Sequence, residues 1–370
     1  MNTDIDTGHR IWASYGVDGE RPAATAPETR ETRPVNAIAE PAWSGLRRLA
    51  RFGMRRRAAA APCGVVLMYH RIAEPASDPW DLAVSPRNFA DQLAVLARFG
   101  PVGTLAGMRA ALDRPAPPRR FFALTFDDGY RDNLVAALPA LTRAGVRATV
   151  FVASGLTGSD REFWWDTLAR AMLECPTLPG HLHLRLGGGR HDWRLGPAPG
   201  RARRMRLIAS VRSELMRLEP AAIEAAISEI AAWAGIERAG AAANHPMDLA
   251  EMQALAASGQ IEIGGHTHSH AALTLIAPEA AAAEIARGRA ALRDRTGQPV
   301  TSFAYPYGLH DGHGLAAVRA AGFDCACTVR PGIADAASDP FRIPRIQVKD
   351  WPAERFEREI ASFAGRADGT

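Results

Sequence analysis

Short apolar segments alternate with helix-like segments from residue 63 to about residue 350 of this chain. Runs such as GVVLMYH (64–70) and FFALTF (121–126) are almost entirely hydrophobic, which is typical of strands that are buried on both faces. Between them, SPRNFADQLAVLARFG (85–100) begins like a helix, with a serine as N-cap and a proline at the first helical position. Alternating strands and helices predict an α/β domain with a parallel sheet, either open or closed into a barrel.

The alternation stops between about residues 155 and 246. WWDTLARAML (164–173) and residues 203–233 have helical character, and a stretch rich in Gly, His and Arg lies between them. Connections of this length are uncommon within a compact domain. We therefore expect a helical insertion over one end of the barrel, within a domain that spans residues 63–350, and a C-terminal helix and tail at 351–370.

The N-terminal residues differ in composition from this domain. Residues 1–40 are polar, Pro-rich and without periodicity, which predicts a disordered tail. Residues 41–62 are predicted to form a basic linker or helix, and the sequence from 43 to 62 (WSGLRRLARFGMRRRAAAAP) has two interpretations. It is either a solvated helix or linker, or a segment that contacts an anionic membrane surface peripherally.

Composition narrows the predicted location and partners. The N-terminus has no basic segment followed by an apolar one, and no stretch of about 18 apolar residues occurs, so we expect neither a secretory signal nor a membrane span. The predicted location is the cytoplasm, with membrane association through residues 43–62 as the alternative. The net charge of +4 is too small to indicate nucleic-acid binding, and the four scattered cysteines suggest neither a disulfide framework nor a cysteine-type zinc site.

Polar residues follow several of the predicted strands at the point where each strand ends. His70 ends the first strand, Asp127 and Asp128 end the second, and HTHSH (266–270) follows the short strand IEIGG. In parallel α/β folds, reacting groups gather at the carboxyl ends of strands. We therefore expect these side chains to meet at one face of the sheet.

The HTHSH segment has the residue types of a metal site. On one helical turn, His266 and His270 would face the same way, and an Asp from a neighbouring strand end would complete a set of two histidines and one carboxylate with open positions. This donor set predicts a catalytic divalent metal. His268 is expected outside the ligand set, although an extended conformation would align all three histidines on one face. The alternative is a solvated polar loop.

The adjacent acids Asp127 and Asp128 need an explanation, because two neighbouring carboxylates at the end of a buried strand repel each other and are costly to desolvate. In the metal interpretation, one carboxylate binds the ion and the other acts as general base on a water whose pKa the ion lowers toward ~7. The alternative is an Asp-Gly turn with solvated acids.

Three motifs resemble those of a known family. TFDDG (125–129), HTHSH (266–270) and FAYPYG (303–308) are similar to the first three motifs of the polysaccharide deacetylases, also called NodB-homology or carbohydrate esterase family 4 enzymes. The resemblance covers roughly residues 63–350. It implies a distorted (β/α) barrel of about seven parallel strands that removes N- or O-acetyl groups from sugars. The segments YHRI and FWWD resemble a bacterial branch linked to cell-surface polysaccharides.

The resemblance also implies roles for individual residues. Asp127 would be the general base, and the backbone N–H of Tyr307 would stabilise the tetrahedral oxyanion. The resemblance assigns the divalent metal, usually zinc, to Asp128, His266 and His270.

A glycan substrate implies further contacts near this site. We expect Tyr305 and Pro306 of the third motif to contact the substrate. Trp164 and Trp165 could form a wall on which sugar rings stack, and the alternative is that they lie in the core of the insertion.

Two departures from the family pattern affect these assignments. The arginine that usually orients the base in the third motif is replaced by Ala304, so Arg342 or Arg345 would have to hold the base, unless both are structural surface residues. The chain has no histidine beyond His313, so the usual C-terminal Leu-x-His motif is missing. His70 can replace this motif as general acid, as in a circularly permuted branch of the family; the alternative is a buried structural histidine.

Together these features predict a metal-dependent hydrolase that removes acetyl groups from N-acetylhexosamine units of a glycan or glycan precursor. An O-acetyl esterase or small-amide hydrolase using the same metal site is one alternative. A sugar-binding protein that has lost catalysis is another, which the intact acid pair and histidine pair argue against.

Overall fold

The structure is a computed structural model that describes residues 62–364. The predicted disordered tail at 1–40 lies outside the described residues, as do all but the last residue of the basic segment 41–62 and the tail beyond residue 364. The proposed membrane contact of residues 43–62 therefore stays a prediction.

Strands from both ends of the described chain lie in one parallel sheet. In chain order, the strands of residues 62–364 are β1 (Cys63–Tyr69), β2 (Arg71–Ile72), β3 (Ala83–Val84), β4 (Val102–Gly103), β5 (Arg120–Phe126), β6 (Ala148–Val152), β7 (His181–Leu186), β8 (Gly189–Arg194), β9 (Ile261–Gly265), β10 (Ser302–Ala304), β11 (Cys325–Cys327) and β12 (Ile346–Gln347). The order across the main sheet is β11-β10-β9-β6-β5-β1-β12, with β4 beside β5.

Helices connect most of these strands. The α-helices of the described residues are α1 (Pro86–Ala97), α2 (Leu105–Leu112), α3 (Leu138–Ala144), α4 (Trp164–Leu173), α5 (Arg201–Leu215), α6 (Pro220–Ala234), α7 (Leu249–Ala257), α8 (Pro278–Thr296), α9 (Gly312–Ala320) and α10 (Ala353–Ala364). None of them has both the length and the apolar character that a helix needs to cross a bilayer.

The sheet curls into an incompletely closed barrel. Its two edges approach each other where Ile343, just before β12, forms a parallel bridge with Cys327 of β11. The next residues pair with β1 on the other side, with Leu67 opposite Ile346. The α/β fold with a distorted barrel of about seven parallel strands, predicted from the motifs, is confirmed.

Alternation along the strands separates two cores. One face of each strand packs against the surrounding helices, as Leu67 and Leu124 do. The other face points into the barrel, where Val66, Ala123 and Phe151 share a small cluster. Because side chains on a strand repeat every second residue, the inward alternation of β1 and β5 continues to His70 and Asp127, which follow these strands directly.

Helix α2 closes the barrel at the end where the strands begin. Leu105, Met108 and Leu112 of this helix belong to the inward-facing cluster. Met108 approaches Gly64 so closely that a Cβ there would lie 2.3 Å from the methionine sulfur. Any ligand must therefore approach from the opposite end, where the strands finish.

The chain between β6 and β9 adds a second layer over that open end. Helices α4, α5 and α6 and the antiparallel hairpin β7–β8 share a hydrophobic cluster of their own, which includes Leu168, Leu184 and Ile227. Helix α7 then leads into β9, beginning with a capping box between Asp248 and Glu251. The described residues 155–246 thus contain the helices expected of an insertion, together with a hairpin that the sequence did not indicate.

Candidate active site

Three side chains of the predicted metal site converge at the open end of the barrel. Oδ1 of Asp128 lies 3.4 Å from Nε2 of His266 and 3.1 Å from Nε2 of His270. The three atoms that could bind an ion all lie within 4.8 Å of one another, and the three residues are buried. Such a cluster could hold a metal ion.

The HTHSH segment reaches this geometry without a helical turn. Residues 266–270 form an irregular loop in which Thr267 and His270 have positive φ angles of 63° and 60°. The expectation that His266 and His270 share one helical turn is therefore wrong, and so is the extended alternative. His268 turns away from Asp128, and its Nδ1 is 2.9 Å from Oγ of Ser154.

Helix α8 holds the strained loop in place. The carboxylate of Glu284 accepts hydrogen bonds from the backbone N–H groups of His268 (3.0 Å) and Ser269 (2.7 Å). One turn further along, the loop lies directly on Gly288, where a Cβ would be 2.7 Å from the carbonyl atoms of Thr267. Left-handed residues other than glycine cost of order 1–3 kcal/mol each, so such outside support is needed.

Replacing Gly288 by alanine is expected to destabilise the protein by about 1–3 kcal/mol and to weaken metal binding, because the new methyl group displaces Thr267. Helix propensity alone would make the alanine variant more stable by about 1 kcal/mol. A loss of stability can therefore be attributed to the clash with Thr267. Urea unfolding and metal titration measure the two effects. Gly312→Ala, which meets nothing within 4 Å, is the matched control; equal behaviour of both variants would contradict this account.

His266 is oriented by a backbone acceptor. Its Nδ1–H donates to the carbonyl of Ala304 at 2.7 Å, which places the lone pair of Nε2 toward Asp128. Ligating histidines commonly use their second nitrogen in this way, which fixes both tautomer and ring orientation. The small residue at position 304 thus contributes its carbonyl group to the site.

Electrostatics favours a ligand set with an ionised aspartate and a neutral histidine. Burial opposes ionisation of Asp128, but the neighbouring imidazoles of His266 and His270 outweigh burial and lower the pKa of the carboxyl group. Burial also lowers the pKa of His270, which keeps its imidazole neutral. Both are the protonation states that metal binding requires.

Asp127 is held by a buried arginine. Nη1 and Nη2 of Arg345 each donate to one carboxylate oxygen of Asp127, both at 2.7 Å. Arg345 is 0% exposed, whereas Arg342 lies on the surface. Of the two arginines that the sequence offered, Arg345 therefore pairs with Asp127, and it is not a surface residue.

The same guanidinium group is tied to two further parts of the barrel. Its Nε donates to the carbonyl of Thr328 at 2.9 Å, and Nη1 is 3.3 Å from Oγ1 of Thr125. Burial alone would raise the pKa of Asp127, but the charge and hydrogen bonds of Arg345 outweigh it, and the pKa is lowered. Asp127 is thus a fixed carboxylate that stays ionised at neutral pH.

His70 lies beside this carboxylate. It follows β1, its side chain is 14% exposed, and its Nε2 is 4.0 Å from Oδ2 of Asp127. The carbonyl of His70 accepts a hydrogen bond from the side chain of Asn133. The structure therefore places the candidate acid next to the candidate base, with partial access to solvent.

A cavity of about 420 Å³ adjoins the cluster. His270 and Tyr307 line it on the side of the barrel, and Trp164, Met216 and Ile223 line it on the side of the insertion. Tyr307 has a left-handed backbone (φ 58°), and its hydroxyl accepts a hydrogen bond from Nε1 of Trp164 at 3.2 Å.

The two tryptophans predicted as a sugar-stacking wall occupy different positions. Trp164 borders the cavity, whereas Trp165 lies behind His270 with ring centroids 4.8 Å apart. Trp165 is buried, and its Nε1 donates to the hydroxyl of Tyr130 at 2.6 Å. The geometry suits a substrate contact for Trp164 and the alternative, a place in the core, for Trp165.

The side chain of Tyr305 lies outside the cavity. It is 0% exposed, its hydroxyl donates to the carbonyl of Phe341 at 3.2 Å, and its ring stacks on His310. Pro306 is also buried, at the start of the short turn Pro306–Gly308. This placement argues against the predicted contact of the Tyr305 ring with substrate.

Tyr305→Phe is therefore expected to cost about 1 kcal/mol of stability, from one lost hydrogen bond, and to leave KM and kcat unchanged. Trp164→Ala, at the cavity wall, is the comparison variant and is expected to raise KM. Steady-state kinetics on an acetylated oligosaccharide measures both. A large rise of KM in Tyr305→Phe would show that Tyr305 contacts the substrate after all.

A sequence model of the polysaccharide deacetylase family matches residues 114–176 and 226–326. These segments contain the two acids, both clustered histidines and Tyr307. The chain belongs to the polysaccharide deacetylase family. No curated protein matches the sequence significantly.

Solved structures of deacetylases share the fold. The deacetylase PplD from Streptococcus pyogenes, in complex with acetate, has a TM-score of 0.53 at 18% identity, covering 81% of this chain and 98% of its own. IcaB from Ammonifex degensii has a TM-score of 0.52 at 20% identity, covering 82% of this chain and 97% of its own. A polysaccharide deacetylase from Bacillus cereus has a TM-score of 0.53 at 17% identity, covering 80% of this chain and 69% of its own.

The family model leaves some strands and helices of this chain unmatched. Residues 177–225, between the two matched segments, include the hairpin β7–β8 and helix α5. His70 and Arg345 also lie outside the matched segments. Both flank Asp127, so two neighbours of the candidate base come from parts of the chain that the family model does not cover.

Sequence reasoning missed Glu284 and Gly288 as supports of the site. Glu284 and Gly288 lie one helical turn apart on α8, a spacing that places both on the same face. A lone glycine inside a long alanine-rich helix was the available signal, because it often marks a close approach of another backbone.

Proposed function

We propose that this chain is a metal-dependent hydrolase that removes acetyl groups from N-acetylhexosamine units of a glycan or glycan precursor. The observation that carries the proposal is the convergence of Asp128, His266 and His270 beside a carboxylate, Asp127, that Arg345 keeps ionised. Membership of the polysaccharide deacetylase family supports the acetylated-glycan substrate.

The three clustered residues fit a divalent metal. Two imidazole nitrogens and one carboxylate oxygen form a donor set typical of catalytic zinc sites, and Zn²⁺ is the ion we propose. The bond from His266 to the carbonyl of Ala304 is the outer contact that such a ligand requires. When bound, the ion would polarise the acetamide carbonyl and lower the pKa of water.

Asp127 is the proposed general base. Each of its oxygens accepts one hydrogen bond from Arg345, and each retains another lone pair that can accept a proton from the attacking water. The rigid bidentate pair also fixes the direction of the carboxylate, which proton transfer requires.

His70 is the proposed general acid. Its Nε2 lies 4.0 Å from Asp127, which supports a role in the same reaction, where it would give a proton to the leaving nitrogen of the sugar. The backbone N–H of Tyr307 would donate to the developing oxyanion, in a turn whose left-handed residue redirects the chain after β10.

The cavity is the proposed sugar site. Its volume of about 420 Å³ lies within the range of small-molecule pockets, roughly 300–1,000 Å³. Trp164 offers an aromatic ring at its wall, and Asp160 and Arg161 offer charged groups at its border. These groups suit a hexosamine, which has both apolar faces and hydroxyl groups.

Acetate release from N-acetylated chitooligosaccharides tests the proposal, with acetylated xylan as the ester substrate. Purified protein is assayed as isolated, after chelator treatment, and after Zn²⁺ is restored. We expect release from the chitooligosaccharide that disappears on chelation and returns with Zn²⁺. Release that resists chelation and complete metal removal would refute metal dependence. Release from xylan alone would favour the esterase, and sugar binding without release would favour a binding protein.

A further inference from the structure

The two clustered histidines are held in different ways. His266 donates from Nδ1 to the carbonyl of Ala304. Nδ1 of His270 is buried, and no hydrogen-bond partner lies within reach among the described residues. A ligating histidine is usually oriented by a hydrogen bond from its second nitrogen, so another contact must fix the ring of His270.

Aromatic rings surround His270 instead. The ring of Trp165 lies at 4.8 Å with a tilt of 52°, and the ring of Tyr307 lies at 4.6 Å, nearly perpendicular. Contacts of this kind contribute about 0.5–1.5 kcal/mol beyond area burial. Their main effect here is steric, because a ring confined on two sides keeps one rotamer.

Trp165 is itself rigidly held. Its Nε1–H donates to the hydroxyl of Tyr130 at 2.6 Å, and that hydroxyl donates onward to Oδ2 of Asp166 at 2.7 Å. The ring of Phe163 stacks on Trp165 with centroids 4.8 Å apart and planes only 11° from parallel. The chain of donors fixes one edge of the indole, and the stacking fixes its plane.

Charged residues complete this support. The guanidinium of Arg71 lies 4.6 Å above the ring of Tyr130, 4.0 Å from Asp166, and 3.0 Å from Asp132. Burial raises the pKa of Asp166 to about 7, even though Arg71 and the hydroxyl of Tyr130 act in the opposite direction. Arg71 lies in YHRI, Tyr130 follows TFDDG, and Asp166 lies in FWWD, so all three segments meet behind His270.

We propose that Trp165, anchored by Tyr130 and Asp166, is a positioning residue that holds the imidazole of His270 in the orientation needed to bind a metal. The contact replaces the hydrogen bond that Nδ1 of His270 lacks. This inference rests on the proposed function, in which Asp128, His266 and His270 hold the ion.

Metal affinity of the apoprotein tests the inference directly. Zn²⁺ binding is measured by competition with a chromophoric chelator, and Co²⁺ is added to record the visible ligand-field spectrum. We expect Trp165→Leu to weaken Zn²⁺ binding about 10–100-fold and to change the Co²⁺ spectrum. Trp165→Phe, which keeps a ring beside His270, is expected to lie between Trp165→Leu and wild type.

A control separates orientation from stability. Leu168→Ala removes a buried side chain from the same helix and the same hydrophobic cluster, and keeps the ring of Trp165 beside His270. It is expected to lower the unfolding temperature while leaving metal affinity and the Co²⁺ spectrum as in wild type. If it weakens binding as much as Trp165→Leu, the effect is general destabilisation and the inference is wrong.

The outcomes for the function and for the inference are distinct. Failure of the wild-type protein to bind Zn²⁺ or Co²⁺ would refute the metal site itself. Wild-type binding with unchanged affinity in Trp165→Leu would refute only the role of Trp165. If Trp165→Leu does not fold, Tyr130→Phe decides, because it removes the acceptor of the indole N–H. A several-fold loss of affinity supports the inference, and wild-type affinity overturns it.

Discussion

Replacing Asp127 by asparagine is expected to lower the rate of acetate release by about 10²–10⁴-fold, the usual contribution of a general base. Asparagine keeps the shape of the side chain but cannot accept the proton. Metal affinity should change little, since the proposed ligands are Asp128, His266 and His270. The measurement is kcat of metal-loaded protein together with its metal content.

Asp113→Asn is the matched control, because Asp113 is an exposed carboxylate at the end of α2. It should behave as wild type. Activity of Asp127→Asn within threefold of wild type would show that another group accepts the proton. Low activity with lost metal would mean that Asp127 belongs to the ligand set, which would overturn its assignment as the base.

The strand ends were predictable because the signal is local. Strands β1 and β5 are mostly apolar up to His70 and Asp127, and the alternation within each strand determines which way these side chains point. Once the strands are taken as parallel, their ends must meet at one face of the sheet. The meeting of Asp128, His266 and His270 at this face followed from the same reasoning, without any knowledge of loop conformation.

The conformation of the HTHSH loop was not predictable in the same way. Thr267 and His270 adopt left-handed angles, which are uncommon outside glycine and rare for a β-branched residue such as Thr267. Glu284 and Gly288 of α8 compensate for the strain of this loop. Helix α8 follows the loop in sequence, and its position against the loop depends on tertiary packing. The spacing of four residues between His266 and His270 therefore indicated the candidate ligands, but it did not indicate the conformation of the loop that carries them.

Adjacent residues of equal type can have different environments. Trp164 and Trp165 begin the same helix, where successive side chains point about 100° apart, as 3.6 residues per turn require. One ring therefore reaches the cavity and the other reaches His270. The sequence alone offered both interpretations for the pair and contained nothing to divide them.

The partner of Asp127 could be identified only from the complete barrel. Arg345 is 218 residues away in sequence, and Arg342 was an equal candidate. What decides between them is that the last strand, β12, lies beside β1, which in turn pairs with β5. Arg345 then faces the barrel interior, while Arg342, three residues earlier, lies on the surface.

Arg345→Met is accordingly expected to lower the free energy of unfolding by about 3–5 kcal/mol at neutral pH, since it leaves Asp127 buried without its partner. Arg345 lowers the pKa of Asp127 in the folded state, so the pair contributes stability above the unfolded pKa of about 3.9, and this stability is lost as pH falls through the folded pKa. The deficit of Arg345→Met should therefore be largest at neutral pH and shrink as the pH falls below about 4. Urea unfolding at several pH values measures it.

The double variant Asp127→Asn/Arg345→Met separates the charge pair from side-chain volume. It should be more stable than the sum of the two single changes predicts, because it removes both charges of a coupled pair. Arg342→Met, at the exposed arginine, should stay within about 0.5 kcal/mol of wild type. Additive losses in the double variant would mean that the bidentate contact contributes no coupling energy. Arg345 would then stabilise the barrel through Thr125 and Thr328 alone, and the orientation of the base would need another cause.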